Sequence, residues 1–142
     1  PWLFVLLFLA VGRARRLDWT PPVEPIQELI FGETRAGVLA LTTLLACVVG
    51  PVAEELFFRG LLFSTLRRRM PRWPATVLSG SAFALLHTNV LGFPSILLLG
   101  CLLANLYERT GSLASPLIVH VLHNTLLLSV ALTARQLLGV VQ

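Results

Sequence analysis

From residue 36 to residue 66 the chain is apolar almost without a break, and the main interruptions are Glu54, Glu55 and Arg59. The run then ends on Arg67, Arg68, Arg69 and Arg72. It exceeds the ~20 residues that a helix needs to cross the hydrocarbon of a bilayer, and the arginines suit the water boundary beyond it. Three more apolar stretches follow. One opens at Pro74, which fits the first position of a helix, and runs to about His87, near Asn89 and Gly92. The next opens at Pro94, with Gly111 as its expected C-cap, and Gly100 and Ala104 give it a small-xxx-small face for close helix contact. The last opens at Ser115 and Pro116 and continues to about Gly139.

Ahead of these stretches, residues 1–12 are apolar but too short to span. Arg13, Arg15 and Arg16 come after that run, whereas a signal peptide carries its positive charge before the apolar core. Residues 1–12 therefore read as the tail of a transmembrane helix in a fragment of a longer protein. Residues 13–35 mix arginines with acids and Pro21, Pro22 and Pro25, and form an interfacial linker with Trp19 as an anchor. The expected domain spans residues 37–135.

Composition sharpens this picture. Hydrophobic residues make up 56% and charged residues 13% of the chain, against about half and about a quarter in soluble domains. The expected fold class is all-α, a multi-pass transmembrane helical bundle of four or five crossings. The expected location is integral to the membrane, the cell membrane in particular, with the lipid bilayer as partner. The net charge of +4 is carried by arginine alone and lies beside apolar runs, which suits lipid headgroups and excludes nucleic-acid binding. Cys47 and Cys101 lie in apolar runs without CxxC spacing, so they read as packing residues.

The ionisable residues inside the apolar runs carry the chemistry. A charge in hydrocarbon costs several kcal/mol unless it is paired or lines a wet cavity. Glu55 and Arg59 stand at i and i+4 with the acid first, the favourable order for an ion pair. Glu54 points about 100° away from Glu55 on a helix and needs a partner from elsewhere. A buried lock between helices would explain one acid and the arginine, but not the second acid. Pro51 removes a backbone hydrogen bond just upstream and either loosens the helix there or makes a packing kink.

His87, His120, His123 and Asn124 are the candidate partners. Counted from the arginine-marked surface, Glu54 and His87 both lie at a depth of about 20 Å and are expected to meet. The same count leaves His120 only ~6 Å and Asn124 ~12 Å deep. Either the linker at 110–116 dips into the bundle or the helix boundaries lie elsewhere. His120 and Asn124 share a helix face, where two donors could hold a developing oxyanion. An unpaired buried Glu54 could act as a general base.

Glu54-Glu55-Leu56-Phe57-Phe58-Arg59 is an EExxxR motif, Phe83 to His87 an FxxxH motif, and His120 to Asn124 an HxxxN motif. In this order, over about residues 37–135, the chain resembles the CAAX-protease and bacteriocin-processing membrane proteases, which include the eukaryotic prenyl-protein endoprotease. The resemblance implies an intramembrane endopeptidase acting on a membrane-associated peptide or protein. It implies that Glu54 and His87 activate water, that His120 and Asn124 stabilise the oxyanion, and that Glu55 and Arg59 support the site. Phe83 is expected to pack the site and His123 to be structural.

No cofactor is expected. The nearest rival adds zinc, held by His87 and His120 with Glu54 as a further donor, although the chain has no HExxH helix. A rival from another class is a non-catalytic membrane scaffold or immunity-type protein with the same polar cavity. A third is a small transporter with a proton-relay glutamate, which the absence of an internal repeat disfavours.

Overall fold

The computed structural model describes residues 32–33, 35–87 and 92–137. The expected partial helix at 1–12, nearly all of the linker at 13–35, Asn89 and the end of the last apolar stretch near Gly139 lie outside them. Four helices fill the described residues, and no strand occurs among them. They are α1 (Ala36–Arg67), α2 (Arg72–Leu86), α3 (Phe93–Thr110) and α4 (Ala114–Leu137).

The helices alternate in direction. Arg59 bonds the Gly100 carbonyl, Phe63 meets Tyr107 edge-on and Arg67 pairs with Glu108, so α3 runs alongside α1 in the same sense. Along α4 the sense reverses: His120 meets Glu55, Asn124 meets Ala46, and Arg135 reaches the Glu33 carbonyl. Each end of the bundle is therefore tied by an arginine, Arg67 at one and Arg135 at the other.

Exposure is inverted relative to a protein folded in water. Leu41 (56%), Leu61 (59%), Leu98 (70%) and Leu126 (63%) stand outside, while Glu55, Arg59 and His120 are at most 1% exposed. Burying charges and exposing leucines in this way is stable only where the surroundings are apolar, and α1 and α4 are long and apolar enough to cross a membrane. At ~1.5 Å per residue α2 and α3 reach only about 22 and 27 Å, and they lie against the longer pair.

Close backbone approach holds α2 to α3. A Cβ at Gly80 would fall 2.7 Å from Cys101 Sγ, and one at Gly100 would fall 2.9 Å from the Gly80 Cα. Gly100 and Ala104 are both buried in this seam, as the small-xxx-small spacing predicts, with Gly80 as the facing residue. Phe58 and Phe63 of α1 then cover it, packing on Phe83, Ala84 and Ile96 at one level and on Ala75 and Ala104 at another.

Two turns set the register of the helices. Helix α2 starts at Arg72 rather than Pro74, with extended Pro71 as its N-cap. The first four N–H groups of a helix have no partner within it, so Pro74 is accommodated anywhere in that turn. Helix α3 ends as expected on Gly111, whose φ of +64° is left-handed and whose N–H bonds the Tyr107 carbonyl at 2.8 Å. The following residue but one, Leu113, packs 3.7 Å from where a Cβ on Gly60 would stand. Gly60 is two turns inside the Arg67 end of α1, about 10 Å at ~1.5 Å per residue. The α3–α4 turn thus dips into the bundle and lowers His120 to the level of the glutamates.

Candidate active site

The site is built on a distorted stretch of α1. Residues Leu45–Val49 and Leu56–Phe63 are π-helical, flanking the α-helical turn Gly50–Glu55 that carries both acids. A π turn lets each N–H reach back five residues and widens the helix, a feature found often at functional sites. The carbonyls of the wide segments take side-chain donors: Asn124 Nδ2 donates to the Ala46 carbonyl at 2.9 Å and Ser64 Oγ to the Arg59 carbonyl at 2.8 Å. Neither π segment is visible in the pattern of apolar residues, because an apolar run leaves the helical period undefined.

Within this frame the Glu55–Arg59 pair forms as its spacing predicts, with Arg59 Nη1 donating to Glu55 Oε1 at 2.8 Å and both side chains almost fully buried. Arg59 also donates Nη2 to the Gly100 carbonyl at 3.1 Å, and its guanidinium lies 4.7 Å over the Phe83 ring. Gly100 therefore does more than allow close packing, since its backbone oxygen receives part of the buried charge. Sequence reading assigned Gly100 to packing alone, because a carbonyl acceptor leaves no mark on residue type.

His120 is fully buried and stands between the two acids. Its Nδ1 lies 2.8 Å from Glu55 Oε1, and because a carboxylate oxygen only accepts, the Nδ1 hydrogen is assigned to this bond. Its Nε2 lies 3.5 Å from Glu54 Oε2, an ion-pair distance rather than a formed hydrogen bond. Glu54 is 34% exposed while Glu55 is 2% exposed, so the adjacent acids differ sharply in access. The depth count paired Glu54 with His87. No direct ion pair or hydrogen bond joins these two, and the dipping α3–α4 turn brings His120 to Glu54 as well.

His87 sits at the C-cap of α2, and its Nδ1 donates to the Phe83 carbonyl at 2.8 Å, which leaves Nε2 free to accept. Phe83, completely buried, contacts both imidazoles, with ring centroids 4.5 Å from His87 and 5.5 Å from His120. It packs the site as expected. His123 is only partly buried on α4, one turn from His120. Asn124 shares the His120 side of α4 and contacts α1 through the Ala46 carbonyl.

Among the described residues no three His, Cys, Asp or Glu side chains form a group that could hold a metal ion. Glu55, Arg59, His120 and Glu54 make one connected ionic cluster, and the Phe83 ring touches both His87 and His120. Such a cluster offers an accessible carboxylate beside an oriented imidazole, the parts needed for proton transfer to and from a bound reactant.

The chain is similar to bacterial proteins of known sequence. It is 28% identical to an uncharacterized 24.3 kDa protein of Escherichia coli over 138 residues, covering 89% of this chain and 61% of that one. It is also 28% identical to the "Putative membrane peptidase YdiL" of Bacillus subtilis (strain 168) over 85 residues, covering 60% of this chain and 35% of the relative. The chain thus spans between a third and two thirds of the length of these relatives. No solved structure matches it. The profile of the type II CAAX prenyl endopeptidase Rce1-like family matches residues 36–126, a stretch that holds α1, α2, α3 and the first half of α4 with all seven motif residues, and the chain belongs to that family.

Proposed function

We propose that the protein is an intramembrane endopeptidase that hydrolyses a peptide bond of a membrane-associated peptide or protein. The observation that carries this reading is the accessible Glu54 carboxylate beside the buried His120 imidazole, in a chain of a peptidase family. Glu54 takes a proton from water as the water oxygen attacks the peptide carbonyl carbon. His87, with Nε2 free, assists in orienting that water. The negative charge that develops on the carbonyl oxygen is met by His120 and Asn124.

This assignment requires His120 to be an imidazolium, because its Nδ1 hydrogen already goes to Glu55 and only a second hydrogen on Nε2 can donate. The charges then balance: two carboxylates, Glu54 and Glu55, against Arg59 and His120. A neutral cluster is far cheaper to hold at membrane depth than a charged one. When the carbon–nitrogen bond breaks, the amine leaves with the proton gathered by the cluster. Glu55 and Arg59 do not touch the reactants and hold His120 in place.

The reading uses no metal. The test is cleavage of a membrane-spanning reporter peptide by purified protein in detergent, with products identified by mass spectrometry, before and after exhaustive chelation. Chelated protein that contains no stoichiometric zinc by elemental analysis and retains its rate is the expected result. Loss of activity that returns with added zinc would establish a metallopeptidase instead.

A further inference from the structure

In the first π segment the backbone leaves one acceptor empty by construction. The Gly50 N–H bonds the Leu45 carbonyl, five residues back. The next link would run from residue 51 to the Ala46 carbonyl, but Pro51 has no N–H to give. At this depth lipid supplies no hydrogen bond in its place. The donor comes from α4: Asn124 Nδ2 lies 2.9 Å from the Ala46 carbonyl oxygen, across a sequence separation of 78 residues.

We infer that Pro51 and Asn124 form one device, in which the proline vacates a carbonyl on α1 and the asparagine of α4 occupies it. The bond fixes the height of α4 on α1 one turn from His120, and so sets how His120 meets Glu54 and Glu55. Asn124 is then a positioning residue for His120, in addition to the oxyanion contact given above. Its amide has two hydrogens, and committing one to Ala46 leaves the other held in a fixed direction. Pro51 also acquires a reason beyond kinking the helix, since any other residue would fill the vacancy from its own backbone. The inference rests on the reading of Glu54 and His120 as the reacting pair, but the Pro51–Asn124 coupling itself does not require peptidase activity to be measured.

The test is a double-mutant cycle on the purified full chain in detergent. Asn124→Ala strands the carbonyl and should lower the Tm by roughly 5 °C. Pro51→Ala alone adds a donor to a carbonyl already satisfied and should leave the Tm within about 2 °C. In the Pro51→Ala background the N–H of residue 51 reaches the Ala46 carbonyl, and adding Asn124→Ala should then cost less than about 2 °C. If Asn124→Ala does not fold alone, its recovery by Pro51→Ala is the expected result, and failure in both backgrounds overturns the inference. Catalysis supplies the second readout. The kcat loss from Asn124→Ala should be about tenfold smaller in the Pro51→Ala background at unchanged KM, because only the oxyanion donor is then missing. Equal losses of Tm and of kcat in the two backgrounds would contradict the device. Coupled Tm values in a protein that cleaves no peptide would uphold it while removing the peptidase reading.

Discussion

The α2–α3 seam and the α1–α4 seam hold the same bundle together by opposite means. Between α2 and α3, Gly80 and Gly100 bring backbone against backbone, and neither helix places a charged side chain at that contact. Between α1 and α4 the contacts are polar: His120 to both glutamates and Asn124 to the Ala46 carbonyl. In lipid there is no hydrophobic drive between helices, so a seam is held by close packing or by hydrogen bonds. The packed seam leaves no room for a reactant. The polar seam exposes Glu54 and supplies donors, and that is where the candidate chemistry lies.

The largest expected effect falls on the packed seam. Gly80→Leu would place a side chain where even a Cβ stands 2.7 Å from Cys101 Sγ and 3.0 Å from the Cys101 nitrogen. Folded protein recovered as a monodisperse peak in detergent should be nearly abolished. A normal yield would show that α2 and α3 can separate and that this seam is not the structural one.

Next comes Arg59→Ala, which leaves Glu55 as a buried acid without its arginine and opens the contact with Gly100. Breaking a buried pair from one side costs roughly 3–5 kcal/mol, measurable as a fall in unfolding midpoint and in activity together. Unchanged stability would mean that the polar seam does not depend on this pair. Smaller still is Gly111→Ala, at the left-handed turn where α3 meets α4. The added Cβ costs about 1–2 kcal/mol there. It should lower the Tm modestly while His120 stays at its depth, so KM should be unaffected.

The comparison also separates what the residues foretell from what they do not. The Glu55–Arg59 pair was legible because both ends lie on one helix four residues apart, and the turns of α3 were legible from Pro94 and Gly111. His120 stood among the candidate partners of Glu54, but its contact with that acid was not legible, because it depends on where α4 begins relative to α1. Leu113 against Gly60 places that start about two turns below the arginine cluster, a displacement that no residue count along α4 contains. The π segments escaped for a related reason: runs of leucine, valine and phenylalanine carry no polar mark of helical phase. Pro51, five residues after Ala46, was the available signal, and its meaning depends on an asparagine 78 residues from Ala46.

Glu54 is the centre of the proposed chemistry. Glu54→Gln keeps the shape of the side chain, and its partial exposure means that the change should barely affect folding. The amide cannot accept a proton from water. Wild-type protein and the variant, purified side by side in detergent and matched for thermal unfolding, should therefore differ in kcat on the reporter peptide by at least about 10³-fold, with KM little changed. Turnover by Glu54→Gln within about tenfold of wild type would contradict the account and remove Glu54 as the proton acceptor.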